Sequence, residues 1–484
     1  MQPAVAHPDY SRKWFVMAAV AMGVLLATID GSIVNVALPT LVDELDTTFP
    51  LVQWVALAYL LAMATLTLGV ARLGDIVGKK RIYTIGYVVF TVGSVLCGLA
   101  PTVGWLIGFR VVQAVGAAMI LALGVGILTE AFPVTERGKA LGVIGTMVSV
   151  GIVTGPAVGG ILLQHLSWHW IFFVNLPIGI IGTLTALRFV PNTVPARRQG
   201  FDLAGAVLLF GSLLSLMLAL TLGQELGFLS PPIAALFAAA VVLFAVFVMV
   251  ELRKPEPMIE LRLFTQPLLT VSVVTGFITF VCVSGVFFLG PFYLENVLGL
   301  DQQLTGLLLA VSPIALGVVS PVSGWLSDRF GVRPLTIAGL AVIALGFVGL
   351  LTLDVDTRAV GFALAMIPLG IGMGLFQSPN NSAIMGSVPA ENSGVAGGLL
   401  SLTRVLGQIT GIAVLGTIWA ARVAAIGGTS TADAPASVQV TALHQVLVLS
   451  GAIVVGGLLL AGWGLWQERS GSRSTPEELA RQVR

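Results

Sequence analysis

Three ionisable residues, Asp30, Arg110 and Arg404, interrupt long apolar stretches of this chain. A charge in an apolar stretch is costly to bury, so such residues usually have a specific partner or a function. Burial favours the protonated form of a carboxyl group, and a nearby guanidinium favours the ionised form. A carboxyl that meets an arginine in one conformation only would therefore bind and release a proton. Asp30 has two possible partners, Arg110 and Arg404, and a fixed ion pair that merely orders helices is the alternative.

The composition indicates what positions these charges. Of the 484 residues, 56% are hydrophobic and 10% are charged, with a mean hydropathy of +0.99. A soluble domain has about a quarter charged residues, so the chain is predicted to be an all-α polytopic membrane protein. Runs of about 20 apolar residues predict fourteen transmembrane helices. They are expected near 14–38, 51–71, 82–100, 104–129, 140–163, 170–190, 203–222, 233–250, 268–290, 304–325, 335–353, 359–379, 395–419 and 444–466.

The distribution of cations predicts the orientation of these helices. With both termini in the cytoplasm, 20 of the 24 lysines and arginines lie on the cytoplasmic side. The exceptions are Arg358 and Arg422 in outer loops and Arg110 and Arg404 within helices. Positive charge concentrates in cytoplasmic loops. We therefore expect a multi-pass protein of the plasma (inner) membrane with both termini cytoplasmic.

A ten-residue segment occurs twice. Residues 71–80 read ARLGDIVGKK and residues 324–333 read GWLSDRFGVR. Each has an aspartate three residues before a glycine, with cations after it, between two apolar runs. Such a repeat indicates two homologous halves, as in transporters that bind their substrate at the interface of the halves. We expect a first six-helix half at 1–200, an inserted helix pair at 201–252 and a second half at 253–484.

The fifth predicted helix has a distinct pattern of small residues. Residues 151–162 read GIVTGPAVGGIL, and their glycines allow a neighbouring helix to approach closely. Pro156 frees a backbone carbonyl and permits a bend. A weaker version, GQITG at 407–411, lies in the thirteenth predicted helix and lacks the proline.

These motifs resemble those of a known family. The repeated segments resemble the cytoplasmic signature of the major facilitator superfamily, although Ala71 and Ile76 depart from it. The fifth helix resembles the motif of its antiporter branches. The stretches at 29–39, 106–113 and 168–177 resemble the fourteen-helix drug:proton antiporters, with departures at His169, Ala114 and Glu295. The resemblance covers nearly the whole chain and implies proton-coupled export by alternating access.

The residue types and the resemblance together give candidate site residues. For proton coupling they are Asp30, Arg110 and Arg404. For substrate binding they are Trp54, Tyr59, Gln113, Phe292, Tyr293, Gln377, Asn380 and Asn381, because apolar cavities with a few polar groups suit lipophilic ligands. For gating they are Asp75, Gly78, Lys79, Glu130, Gly151, Gly155, Pro156, Gly159, Asp328, Arg329, Gly331 and Arg333.

Other functions receive less support from the sequence. The glycine-lysine pairs lack the spacing of a phosphate-binding loop, so no nucleotide partner is expected. The histidines are dispersed, so we expect no metal, no cofactor and no enzymatic cluster. The expected partners are protons, the lipid bilayer and a small lipophilic substrate, without nucleic acid, and the chain is expected to be a monomer. With Asp30 as the one clear intramembrane acid, monocationic or neutral compounds are favoured over dications. Export of a lipid, siderophore or metabolite is the alternative; a channel is less favoured.

Overall fold

The computed structural model describes residues 12–133, 136–192, 202–254, 265–387, 393–428, 431 and 434–471. Within these ranges the chain forms helices and connecting turns, with no strand. Among the described residues, thirteen helical segments are long and apolar enough to cross a membrane. The fifth predicted span corresponds to a helix at Arg137–His165, whose part Val150–His165 is apolar. The prediction of an all-α polytopic membrane fold is therefore confirmed.

The helices of the first part of the chain are α1 (Lys13–Glu44), α2 (Phe49–Val77), α3 (Lys79–Gly98), α4 (Val103–Ala131), α5 (Arg137–His165), α6 (Trp170–Phe173) and α7 (Asn175–Phe189). The following pair is α8 (Leu203–Leu226) and α9 (Pro231–Arg253). The later helices are α10 (Pro267–Phe292), α11 (Gln302–Phe330), α12 (Val332–Leu350), α13 (Ala359–Gly386), α14 (Ser393–Thr410), α15 (Gly416–Gly427) and α16 (Ala436–Gly471). π-Helical turns at Tyr293–Val297 and Gly411–Leu415 extend α10 and join α14 to α15.

The repeated ten-residue segments form two equivalent helix–glycine–helix junctions. In the first, Gly78 has φ +108° and separates α2 from α3. In the second, Gly331 has φ +85° and separates α11 from α12. Glycine adopts these angles without the steric cost that a Cβ atom adds. The predicted basic turn is thus a single residue, and Asp75 and Asp328 lie in the last turns of α2 and α11.

A second repeated feature is the contact between the first and fifth helices of each half. A Cβ atom on Gly155 of α5 would lie 1.8 Å from Oγ of Ser32 on α1. A Cβ atom on Gly411, at the end of α14, would lie 2.3 Å from Oγ of Ser284 on α10. In both places the absence of a side chain lets a serine approach the facing backbone. The sequence predicts a close approach of some neighbouring helix to α5, and the weaker motif at 407–411 makes the equivalent contact in the second half.

The two contacts differ in what interrupts the α-helical hydrogen-bond pattern beside them. In α5, Pro156 follows Gly155 and lies inside a continuous helix. In the thirteenth span, where the proline is absent, the π-helical turn Gly411–Leu415 begins at the corresponding glycine. Both devices leave backbone groups outside the regular α-helical hydrogen-bond pattern. The two halves therefore reach a similar local irregularity by different chemistry.

The inserted pair α8–α9 lies at one edge of the bundle, and α8 contacts both halves. Indole Nε1 of Trp54 on α2 donates to Oγ1 of Thr221 at 3.1 Å. Oγ1 of Thr417 on α15 donates to the carbonyl of Leu220 at 3.3 Å. The opposite surface of α9 is largely exposed and apolar, as a lipid-facing helix would be.

An ion pair between Asp202, at the start of α8, and Lys254, at the end of α9, joins these two helices. Oδ1 of Asp202 also accepts a hydrogen bond from the backbone N–H of Gly205 at 2.7 Å, capping α8. Burial raises the pKa of the Asp202 carboxyl, but the hydrogen bonds from Lys254 and Gly205 outweigh burial and leave the pKa below its ordinary value. Asp202 is therefore a structural anion at the helix terminus.

Candidate functional site

Asp30 lies in a fully buried polar network at the centre of α1. Its Oδ2 accepts a hydrogen bond from Nη1 of Arg110 on α4 at 2.6 Å. Its Oδ1 accepts from Nε2 of Gln113 at 2.7 Å and from Nδ2 of Asn175 at 2.9 Å. Asp30 and Arg110 are 0% and 1% exposed. A carboxylate removed from water thus receives three donors in exchange.

Arg110 is itself held on several sides. Its Nε donates to the backbone carbonyl of Val55 on α2 at 3.0 Å, and its Nη1 also donates to Oε1 of Gln113 at 2.7 Å. The guanidinium carbon lies 4.0 Å from the centre of the Tyr59 ring, which is cation–π geometry. Nε2 of Gln113 also donates to Oγ of Ser94 on α3 at 2.8 Å. The network therefore connects α1, α2, α3, α4 and α7.

The structure distinguishes between the two possible partners of Asp30. Arg110 makes the ion pair, within the first half of the chain. Arg404, on α14, is half-buried and has no hydrogen bond or ion pair with Asp30. The sequence placed both arginines at compatible depths, but the choice depends on which helices are neighbours.

Asn175 and Ser94 are network members that the sequence did not single out. Asn175 is fully buried at the start of α7, and its Nδ2 lies 3.4 Å from Oγ of Ser94. The available signal was an asparagine in the stretch 168–177 that carries the family resemblance. Val55 gave no signal, because it contributes only its backbone carbonyl.

The substrate-binding candidates fall into different environments. Tyr59 and Gln113 contact the buried network, and Trp54 is directed to α8. The hydroxyl of Tyr293 donates to the carbonyl of Asp354 at 2.8 Å, away from the first half. These four side chains are engaged by protein groups, so the structure does not bring the candidates together as one open cavity lining.

The remaining candidates lie in the second half. On α13, Gln377 is half-buried, Asn381 is exposed, and Asn380 is 3% exposed with no hydrogen-bond partner for its Oδ1. Phe292 is buried at the end of α10. Asn380 and Tyr59, through its hydroxyl, are thus the candidates with an unsatisfied buried polar atom. Phe292 belongs to an aromatic contact between the halves.

That contact closes the end of the bundle at which α1 is followed by α2, here called the distal face. Phe49 at the start of α2 lies 5.0 Å, ring centre to ring centre, from both Phe292 and Trp419, and 5.6 Å from Phe288. Nearby, a Cβ atom on Gly160 of α5 would lie 2.3 Å from the carbonyl oxygen of Gln302. The two halves are therefore in direct contact at the distal face.

Two segments of the chain match one known protein family. Residues 20–203 and 199–412 each match the model of the Major Facilitator Superfamily. The chain belongs to the Major Facilitator Superfamily. The second match includes the whole of residues 201–252 and ends at residue 412.

Individual relatives of this facilitator are transporters by name. It is 35% identical over 410 residues to the riboflavin transporter RibZ of Clostridioides difficile, covering 84% of this chain and 89% of that protein. It is 34% identical over 409 residues to the multidrug resistance protein Stp of Mycobacterium tuberculosis, covering 84% and 75%. The structure of a bacterial homologue of the lysosomal transporter Spinster, inward-facing and unoccupied, has a TM-score of 0.69 at 17% identity, covering 96% and 99%. The protein is accordingly a transporter and not an enzyme.

The gating candidates of this facilitator lie in two regions. Cβ atoms on Gly151 and Gly159 would lie 1.9 Å from Oγ1 of Thr28 and 2.7 Å from Cγ1 of Ile33, so the α5 motif faces α1. Arg329 is exposed, and Arg333 is buried against α16, where its Nη1 would lie 2.2 Å from a Cβ atom on Gly464. The side chains of Asp75 and Asp328 lie outside the described part of the structure.

Lys79 and Glu130 form an ion pair near the Gly78 junction. The pair joins α3 to α4 within one half, so it orders the junction and does not by itself connect the halves. Its side chains are 20% and 36% exposed, and pairs of this kind contribute about 1 kcal/mol or less.

We expect Glu130→Gln to lower the free energy of unfolding by at most about 1 kcal/mol, because solvent screens the pair. Thermal unfolding in detergent measures this change. The exchange Lys79→Glu with Glu130→Lys is expected to restore the free energy of unfolding. Lys80→Gln serves as the control at the neighbouring position. A loss that the exchange leaves in place would show that the two side chains do not act as a pair.

Proposed function

We propose that this facilitator is a proton-coupled exporter of lipophilic small molecules. The observation that carries the proposal is the buried Asp30–Arg110 pair, in which Asp30 also accepts hydrogen bonds from two neutral donors, Gln113 and Asn175. A buried carboxylate that depends on one guanidinium is sensitive to protonation, because the proton removes the ion pair. The names of relatives that are multidrug transporters support the same class of substrate.

The proposed coupling step transfers one proton to a carboxylate oxygen of Asp30. Protonation removes the negative charge, so the hydrogen bond from Arg110 weakens, while Arg110 keeps the Val55 carbonyl and the Tyr59 ring. Helix α1 is then held less tightly to α4. Because α1 packs along α5, and α5 packs along α11 of the other half, a shift of α1 alters the interface between halves. Release of the proton to the other side restores the pair.

The orientation and organisation belong to the same proposal. The distal face would be extracellular, and both termini would lie in the cytoplasm, as the distribution of lysine and arginine predicts. The halves 1–200 and 253–484 would rock about the interface, with 201–252 at the edge. The protein would act as a monomer in the plasma membrane.

The charge of the substrate follows from how Asp30 is engaged. Of the compounds favoured by the sequence, neutral ones fit the structure without further change. A monocation would need the carboxylate that Arg110, Gln113 and Asn175 now surround, so it would bind only after the pair opens. A dication would need a second open acid.

A second candidate is export of a metabolite by the same cycle, including a lipid or a siderophore. The observation in its favour is the relative named a riboflavin transporter, which matches over most of both chains. A metabolite and a lipophilic drug would use the same proton step and differ in the groups that they present at the interface of the halves.

The proposal is tested with the purified protein in liposomes and an imposed pH gradient. We expect saturable transport of lipophilic dyes when the gradient is present and background transport when a protonophore removes it. Acidification or alkalinisation of the lumen, followed with a pH-sensitive dye, should accompany substrate movement. Transport that is equally fast with and without the gradient would exclude proton coupling.

A further inference from the structure

One face of α14 is polar, although this helix lies in a membrane-spanning segment, Leu399–Gly427. Ser401, Arg404 and Gln408 follow at spacings of three and four residues and are all half-buried, whereas Leu402 and Val405 are buried. Spacings of three and four place side chains on the same face of a helix. The three polar groups therefore form one stripe.

Helix α14, which carries this stripe, lies at the interface between the halves. Helix α14 packs against α10 of its own half and against α2 of the first half. At ~1.5 Å per residue, Arg404 is about 16 Å along the helix axis from Ser393, where α14 begins. A guanidinium at this depth is costly in hydrocarbon and normally faces protein or a water-filled cavity. Arg404 is thus a half-buried cation on a helix that contacts both halves.

Arg404 has no counter-charge of its own in the part of the chain that the structure describes. The ion pairs there join Lys13 to Glu136, Lys79 to Glu130, Arg110 to Asp30, and Lys254 to Asp202. Asp30, which the sequence suggests as a partner of Arg404, instead accepts hydrogen bonds from Arg110, Gln113 and Asn175 of the first half. The interface therefore carries a positive charge that the described protein groups leave uncompensated.

A buried amide with an unsatisfied oxygen lies where α13 meets α10 and α14. Asn380 of α13 is 3% exposed, and its Oδ1 has no hydrogen-bond partner. Its Nδ2 lies 3.1 Å, and Cγ2 of Thr403 lies 3.5 Å, from the position of a Cβ atom on Gly276. Asn380 and Thr403 therefore approach the same point on α10, and Thr403 directly precedes Arg404 in α14. Buried amides in native proteins are rarely left unpaired, so this one is a candidate for contact with a ligand.

We propose that Arg404 binds the anionic or acidic group of the transported molecule, with Asn380 and Gln408 as neighbouring hydrogen-bonding groups. The planar guanidinium presents two parallel donors that match a carboxylate, sulfonate or phosphate. The proposal rests on the proposed export function and changes its expected charge preference. Substrates would be lipophilic molecules with an acidic group, rather than monocations. An anionic lipid headgroup offers the same chemistry and is separated from a free substrate by the experiment.

The test compares two fluorescent probes that differ in one group. 1-Anilinonaphthalene-8-sulfonate carries a sulfonate, and N-phenyl-1-naphthylamine has the same ring system without it. Binding to the purified full-length protein is measured for wild type, Arg404→Gln, Arg404→Lys and Arg422→Gln. Arg422 is an exposed arginine on α15 and provides the matched control.

We expect Arg404→Gln to weaken binding of the sulfonate probe by roughly tenfold or more, as for loss of a charged hydrogen bond. Binding of the uncharged probe should change by less than about twofold. Arg404→Lys should retain part of the wild-type affinity for the sulfonate probe. Arg422→Gln should change neither. Equal weakening of both probes by Arg404→Gln, or unchanged sulfonate binding, would overturn the proposal.

A further arm identifies the source of the anion. In liposomes of neutral lipid, addition of phosphatidylglycerol should leave sulfonate binding to wild type unchanged if the site serves the transported molecule. Competition by phosphatidylglycerol that disappears in Arg404→Gln would assign the site to a lipid headgroup and overturn the substrate proposal. Equilibrium binding requires no pH gradient, so failure of proton coupling would leave these results unaffected.

Discussion

Asp30→Asn is expected to reduce gradient-driven export to the background rate of protein-free liposomes. The amide is nearly the size of the carboxyl but neither ionises nor accepts hydrogen bonds at both terminal atoms. In the structure, Oδ1 of Asp30 accepts from Gln113 and Asn175, and Oδ2 accepts from Arg110. Dye export and coupled proton flux measure the loss. Asp356→Asn, at an exposed acid, is the matched control for removal of one negative charge.

The single substitution also leaves Arg110 as a buried cation without its counter-charge. Removing one member of a buried pair costs about 3–5 kcal/mol, so the single variant is expected to unfold at lower temperature. The double variant Asp30→Asn with Arg110→Gln removes both charges and should recover part of this stability. If the double variant is as stable as wild type and still fails to couple, the defect is in proton transfer. Gradient-driven export at the wild-type rate by either variant would contradict the role of Asp30.

Exchanging the two charges distinguishes the arginines further. Asp30→Arg with Arg110→Asp keeps the pair within the first half, and we expect it to be more stable than Asp30→Arg with Arg404→Asp. The second exchange would leave two arginines, at positions 30 and 110, facing each other in the buried network. Like charges at this distance repel strongly when little water screens them. Thermal unfolding of both exchange variants provides the measurement.

The sequence identified the charges of the network but not its connections. Asp30 and Arg110 stand out because ionisable residues are rare in apolar spans. The choice of Arg110 over Arg404 depends on helix neighbours, which depth along a helix does not reveal. Asn175 is missed because a single asparagine near a helix start has many ordinary roles. The sequence suggests Trp54 as a substrate-binding residue, whereas in the structure its indole N–H donates to Thr221 on α8, a helix without a polar motif.

The ends of the last two transmembrane helices also differ from those predicted by hydropathy. Hydropathy predicts that the thirteenth span ends near 419 and the fourteenth begins near 444, because the intervening residues are small and weakly polar. In the structure α15 continues to Gly427 and α16 begins at Ala436. Alanine-rich segments have high helix propensity, so they extend a helix beyond its apolar core. Hydropathy marks where a helix meets the bilayer and does not mark where the helix ends.

The second large effect is expected from substitution of the glycines at which α1 packs on α5 and α10 packs on α14. Gly155→Ala places Cβ 1.8 Å from Oγ and 2.8 Å from Cβ of Ser32, so α1 and α5 must separate. Overpacking of this kind costs roughly 1–3 kcal/mol. We expect a lower unfolding temperature and strongly reduced export, because α1 carries Asp30. The unfolding temperature and the export rate of the purified variant measure the two effects.

The clash at Gly155 is expected to be reversible by a second substitution, and the clash at Gly411 is not. Ser32→Gly removes both clashing atoms and leaves the amide of Ile33 at 3.0 Å from the new Cβ. At Gly411 the new Cβ would also lie 2.2 Å from the carbonyl oxygen of Val281, which Ser284→Gly does not remove. Each double variant is compared with its own serine-to-glycine single variant, because glycine alone costs about 1 kcal/mol in a helix. Equal recovery in both halves would show that the backbone of α10 yields at Val281, and recovery in neither would show that the serines do not set the distance between the helices.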